Sequence, residues 1–281
     1  MNKGKLYICP TPIGNLEDIT IRVLKVLREV DLIAAEDTRH TLKLLNHFRI
    51  QKPLTSYHEH NFRTKGIILI NKLLEGKNIA LVSDAGMPGI SDPGSDIIKL
   101  CIEEKIPFEV LPGAMAGILA LVGSGLDTTK FAFEGFLEKD KGNRRKRLKT
   151  IQKEDRTLVF YEAPHRIIYT LKDMASILGN REAVIARELT KIHEEFIRGN
   201  MIELIEYLTL NPPKGEIVLL CEGADLEKLA IEEKNKLEQI TIREHILLFM
   251  KDGLDKKAAI KEVAKRRNIS KRTVYRESIG L

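Results

Sequence analysis

A predominantly α/β fold with two successive sheets is predicted by three observations. Short apolar runs bounded by Gly and Pro alternate with amphipathic stretches; the pattern restarts near Lys130; and it stops after Glu222, where a helical, basic tail begins. The 281 residues are enough for two α/β units with full cores and a smaller third piece.

In the first unit the apolar runs 6–9, 32–35, 54–57, 79–83 and 108–111 read as strands, with helices near 19–30, 38–47, 61–75 and 95–104. In the second, 131–136, 157–161, 183–187, 195–198 and 217–221 read as strands, with helices near 143–152, 166–178 and 200–208. The Gly/Asp/Thr stretch 123–129 has turn chemistry and is the expected join. The expected division is an N-terminal α/β domain over 1–124, a second α/β domain over 125–224 and a helical extension over 225–281, opening with an acidic helix at 225–239.

At 43% apolar and 31% charged residues, the composition is that of a soluble globular chain and excludes a disordered or membrane-spanning one. The longest candidate targeting segment, 6–9, is interrupted by Pro10 and Pro12, so a cytoplasmic location is expected. Cys9, Cys101 and Cys221 lie far apart in apolar runs, as reduced core thiols do, and no metal site is expected.

The net charge of +6 is concentrated in the tail. Residues 1–240 hold 35 basic and 35 acidic side chains, whereas 241–281 hold 11 and 5. A second concentration, 139–149, sets seven basic residues against one Asp. Two such segments in a balanced chain point to a polyanionic partner, because clustered Lys and Arg gain from phosphate contacts and counterion release.

Three loops carry chemistry. TPIGNL at 11–16, SDAGMPGISDPG at 83–94 and LPGAMAG at 111–117 each follow a strand, where open α/β sheets bind ligands. The dense Gly and Pro of 83–94 set an irregular backbone with exposed polar groups, and Asp84 and Asp92 add acceptors. Neither a dinucleotide fingerprint nor a Walker loop is present, so the site suits something other than a nucleoside triphosphate or NAD.

Together with AEDTR at 35–39, SYHEHN at 56–61, FEGF at 133–136, FYEAPHRI at 160–167, ARELTKIHEE at 186–195 and KGEIVLL at 214–220, these loops resemble the tetrapyrrole methylase superfamily. Within it the chain is most similar to the bacterial 16S ribosomal RNA 2′-O-ribose cytidine methyltransferases. The resemblance implies a homodimeric, two-domain α/β enzyme with S-adenosylmethionine in the interdomain cleft. It would methylate a cytidine ribose in 16S rRNA at the decoding region of the small ribosomal subunit. By analogy, Pro12 begins the cleft floor, and Asp84, Ala85, Gly86 and Met87 line the cofactor. Met115 and Ala116 contact it through backbone, Met115 standing where a Ser is usual. Tyr161, Glu162 and Ala163 reach it from the second domain, and Gly215, Glu216 and Ile217 complete the adenine side.

A ribose hydroxyl is a weak nucleophile that must lose its proton to a base or be helped by a nearby cation. The sequence offers Glu36, Asp37 and Arg39; His58 and His60; and Arg187, Glu188 and Lys191. Glu188 with Lys191, then Asp37, are the favoured catalytic residues. Arg144, Arg145, Lys146 and Arg147, with His165 and Arg166, are the expected RNA contacts.

Competing readings remain within the superfamily, which also methylates precorrin carbons and a diphthamide precursor; neither substrate explains the basic segments. From another class, 255–276 reads as a helix-turn-helix, with Ala259, Val263 and Ala264 apolar and Ser270 an N-cap, as in a DNA-binding regulator. The cleft loops favour the enzyme, and no DNA partner is expected.

Overall fold

A computed structural model describes residues 2–231, 240–251 and 253–281. It divides into two compact units, Met1–Gly223 and Ala224–Leu281.

The first unit contains both sheets. Strands β1 (Leu6–Ile8), β2 (Leu32–Ala35), β3 (Leu54–Ser56), β4 (Ile79–Val82) and β5 (Phe108–Val110) form a parallel sheet in the order β3-β2-β4-β1-β5. Helices α1 (Ile21–Glu29) and α2 (Thr38–His47) cover one face through Val23, Leu27 and Leu45; α3 (Phe62–Leu74) and α4 (Ser95–Glu103) cover the other through Leu69, Leu73 and Ile97. With both faces covered, β4 is buried along its length, which is why it reads as an unbroken apolar run. Helix starts are local: the Thr20 hydroxyl accepts from the Val23 N–H, and Asp37 accepts from the Arg39 N–H.

The placement of β1 between β4 and β5 brings the loops after these three parallel strands to one edge. There, Thr11 and Gly86 exchange backbone hydrogen bonds of 2.9 and 3.0 Å, and the Thr11 hydroxyl donates to the Ser83 carbonyl.

The second sheet is mixed. Strands β6 (Phe131–Phe136), β7 (Thr157–Glu162), β8 (Glu182–Arg187), β9 (Glu195–Asn200) and β10 (Ile217–Cys221) run in the order β6-β7-β10-β8-β9, with only β6 and β7 parallel. Helices α6 (Lys141–Thr150), α7 (Ile167–Leu178) and α8 (Met201–Leu210) pack on one face around Leu148, Phe160, Leu171 and Leu204. The opposite face is covered by α5 (Ala116–Ser124), whose Ala120 and Leu121 pack against Val159, Val184 and Val218. The chain thus crosses to the second sheet before the 123–129 segment. Gly123 is helical, and a Cβ there would fall on the Phe196 ring. The turn comes at Gly125, with φ +83°.

All three cysteines are free and buried, and burial pushes their thiols up: Cys9 and Cys221 to about 12, Cys101 to about 11. Among the described residues, no helix is long and apolar enough to cross a membrane.

In the second unit residues 226–231 are helical; the rest of the expected acidic helix, 232–239, lies outside the described residues. Helices α9 (Ile242–Lys251), α10 (Lys256–Arg266) and α11 (Lys271–Glu277) surround Ile246, Ala259, Val263, Ala264 and Val274. Between α10 and α11 the chain turns through Asn268, at φ +52°, and the Ser270 side chain caps α11 by accepting from the Thr273 N–H. Arg267 is spent inside the fold, donating to His245 Nδ1 and to the carbonyls of Ile240 and Thr241.

Candidate active site

Beyond the strand ends of the first sheet, against the second, lies a cavity of about 430 Å³, within the range of small-molecule sites. Asp84, Ala85, Gly86, Met87, Met115 and Ala116 line it from the first sheet's loops, and Tyr161, Glu162, Ala163, Gly215, Glu216 and Ile217 from the second sheet. Pro12 is buried one residue before Ile13, which faces the cavity. Glu36, Ser91, Asp92, Phe136 and Leu189 also line it. The family resemblance named the first set. Of the second, Glu36 and Asp92 stood out in the sequence as a candidate base and an added acceptor, whereas Ser91, Phe136 and Leu189 carried no signal of their own, because exposure toward a cavity depends on which strands are neighbours.

The β4 loop takes an irregular path, with Gly86, Gly89, Ser91 and Gly94 all at positive φ. Ser91 pays the steric cost that glycine avoids, and it does so on the cavity wall. The loop gathers carboxylates. The Asp37 N–H donates to Asp84 Oδ1 at 3.0 Å, and the Asp84 N–H donates to Glu36 Oε2 at 3.4 Å. Burial raises Glu36 above its ordinary value. Burial, with Glu36 and Asp84 nearby, pushes Asp92 up to about 7. No Lys, Arg or His is among the described residues lining the cavity. Its polar character is therefore that of an acceptor for cations and hydroxyls, and it lacks the side-chain cations a phosphate would call for.

Aromatic rings form the second-sheet wall. The Tyr161 hydroxyl accepts from the Gly117 N–H at 3.3 Å, and the ring meets Phe133 and Phe136 edge-on, with centroids 5.1 and 5.6 Å away. Beneath it, Glu162 is anchored: Oε2 accepts from the Thr170 hydroxyl at 2.6 Å and Oε1 from the Ala163 N–H at 2.8 Å.

Glu188 and Lys191 lie behind the cavity wall. The Glu188 N–H donates to the Glu216 carbonyl, and Glu188 Oε1 accepts from the Glu216 N–H at 3.0 Å and from Lys191 Nζ at 3.0 Å. Lys191 also reaches Glu216 Oε2 at 3.1 Å. Burial favours the neutral form of each, but these bonds outweigh it, so Glu188 is held below and Lys191 above its ordinary value. Asp37 caps α2 and is bidentate to Arg39, whose hydrogen bonds hold it below the carboxylate range. His58 pairs through Nε2 with Asn61, its Nδ1 buried with no hydrogen-bond partner among the described residues, and His60 meets Glu59.

The basic helix α6 is divided. Arg144 is 6% exposed and donates through Nε and Nη2 to Asp173, which also accepts from Arg145. Arg147 donates through both Nε and Nη2 to Glu134 Oε2, and Arg166 donates to the carbonyls of Leu137 and Glu138. Lys141, Lys146, Lys149 and His165 are exposed. Among the described residues, no group of three His, Cys, Asp or Glu side chains is placed to hold a metal.

Residues 5–205 match the family model for tetrapyrrole (corrin/porphyrin) methylases. The chain is 49% identical over 274 residues to ribosomal RNA small subunit methyltransferase I of Halalkalibacterium halodurans, covering 98% of this chain and 94% of the relative. It is 48% identical to the protein of that name from Bacillus subtilis, covering 97% and 93%. The Thermotoga maritima protein of that name is 51% identical over 222 residues, covering 79% of this chain and all of the relative. Among solved structures, diphthine synthase has a TM-score of 0.60 at 15% identity, covering 78% of this chain and 90% of that one. Uroporphyrin-III C-methyltransferase from Thermus thermophilus, complexed with S-adenosyl homocysteine, has a TM-score of 0.56 at 17% identity, covering 77% and 97%. These low-identity likenesses show the fold: two sheets of this kind. The family match and the nearly full-length relatives establish that the chain belongs to the tetrapyrrole methylase family, in the group of ribosomal RNA small subunit methyltransferase I.

Proposed function

We propose that this protein is an S-adenosylmethionine-dependent methyltransferase that methylates the ribose 2′-hydroxyl of a cytidine in 16S rRNA, at the decoding region of the small ribosomal subunit. The observation that carries the reading is the cavity wall: carboxylates and apolar side chains, with no basic residue among those described. S-adenosylmethionine presents a sulfonium, an ammonium, a ribose diol and an adenine, without phosphate, and this donor set fits it. Glu36 and Asp84 supply acceptors, while Ile13, Met87, Leu189 and Ile217 supply apolar cover. When bound, this group supplies an electrophilic methyl. The chain's task is then to orient a hydroxyl in line with it and to take the proton.

In this reading Glu188 and Lys191 hold the 215–217 backbone in place for the adenine side, and Asp37 holds the α2 start against Asp84. The exposed lysines of α6 and the basic second unit engage RNA phosphates, with Arg144 bracing α6 on α7 through Asp173. A homodimer and a cytoplasmic location complete the proposal; sedimentation of the purified protein tests the first. The decisive experiment incubates chelator-treated protein and labelled S-adenosylmethionine with naked 16S RNA or assembled small subunits, then maps the label by nuclease digestion and mass spectrometry. Label on a cytidine ribose is expected. Label on a base, or none, would overturn the reading.

A further inference from the structure

At the end of β6, Phe136 is 58% exposed although it lines the cavity and meets Tyr161 edge-on. A ring left in water at a cavity mouth forgoes burial that its neighbour Phe133 obtains, so its open face is available to a flat apolar partner. Gly135, at φ +63°, brings the β6 backbone against the β4 loop: a Cβ there would stand 3.5 Å from Ser91 Oγ. Phe136 and Asp92 therefore each follow one side of a contact between the two sheets' loops, and both line the same mouth.

We propose that Phe136 and Asp92 form the acceptor-nucleoside subsite, in which an unstacked nucleobase lies on the Phe136 ring and the ribose 2′-hydroxyl gives its proton to Asp92. The inference rests on the methyl-transfer reading above and deepens it. Enzymes that act on a nucleotide inside folded RNA must splay it out, and aromatic faces are the usual platforms for such bases. Asp92 is faced by the Glu36 and Asp84 carboxylates and by the Ser83 and Tyr161 hydroxyls. Burial and the two carboxylates push it up to about 7, where a carboxylate is a stronger base and still substantially ionised at neutral pH. The step balances: the ribose oxygen bonds the methyl carbon as its O–H proton passes to Asp92. The methyl–sulfur electron pair returns to sulfur, leaving an ether, a neutral thioether and a carboxylic acid.

The test uses full-length protein, small subunits lacking the methyl group, and S-adenosylmethionine. Asp92→Asn is expected to lower the single-turnover rate by about 10²- to 10⁴-fold. It should also abolish the rise of rate with pH through about 7, leaving the cofactor Kd from calorimetry within about threefold. Phe136→Ala should raise KM for subunits by roughly 5- to 150-fold, and Phe136→Tyr should restore it where Phe136→Leu does not. Wild-type transfer with unchanged rate and pH profile in Asp92→Asn, or unchanged KM in Phe136→Ala, overturns the subsite alone. Absence of transfer by the wild type overturns the methyl-transfer reading, and the subsite with it.

Discussion

Gly215 and Glu188 offer a direct measurement of how the second sheet shapes the cavity. Gly215 lies at φ +82°, and a Cβ there would fall on the Glu188 carboxylate. Gly215→Ala therefore carries two costs. One is the left-handed backbone, about 1–2 kcal/mol for a residue with a Cβ. The other is displacement of the Glu188 carboxylate from the Glu216 N–H and Lys191, about 1–3 kcal/mol. Glu188→Ala loses the same carboxylate bonds without the backbone strain. In the double variant the carboxylate is lost only once, so the two effects should fall short of their sum by about 1–3 kcal/mol. Chemical denaturation gives the stability cycle, and calorimetry with S-adenosylmethionine gives the corresponding cycle for binding. Additivity within about 0.5 kcal/mol would refute the reasoning, since it would mean that the two residues do not share the space the geometry assigns them.

Three other outcomes are expected. Asp84→Ala should weaken S-adenosylmethionine binding by about 1–3 kcal/mol in a folded protein, by calorimetry, because its Oδ1 also holds the Asp37 N–H on the cavity side of α2. Asp173→Ala should destabilise by about 3–5 kcal/mol, measured by denaturation, because it leaves Arg144 buried and unpaired. Burial raises Asp173, but its bonds from Arg145 and Arg144 outweigh this and hold it below its ordinary value. Its stabilisation is therefore present above the unfolded carboxylate's pKa and lost as pH falls through the folded one, and Asp173→Asn should flatten that acid loss. Replacing Lys141, Lys146 and Lys149 by Gln should flatten the slope of log K for RNA against log salt by about 2–3, with cofactor affinity unchanged. Deleting 241–281 should also flatten it. Unchanged slopes in filter-binding titrations would make these charges a solvated surface.

The strands and caps were legible because their causes are local. Apolar runs placed β1, β4 and β10 within a residue or two, and Ser270 announced the start of α11. The Gly and Pro density of 83–94 marked an irregular loop, and the positive φ values there show why those residue types stand where they do. Strand order was not legible: that β1 lies between β4 and β5, or that β10 enters the second sheet antiparallel, is set by pairing between residues far apart in the chain. Nor was the crossing of α5, since a helix apolar on nearly every side does not reveal which sheet it will cover. The charged residues make the same point. As sequence, Arg144, Lys146 and Glu188 are alike in offering charge. Only the tertiary structure decided that Arg144 is closed off by Asp173, 29 residues away, that Glu188 is engaged by Glu216 and Lys191, and that Lys146 is left in water. A side chain's availability is determined by the partners that folding brings to it, and those partners have no fixed spacing along the chain.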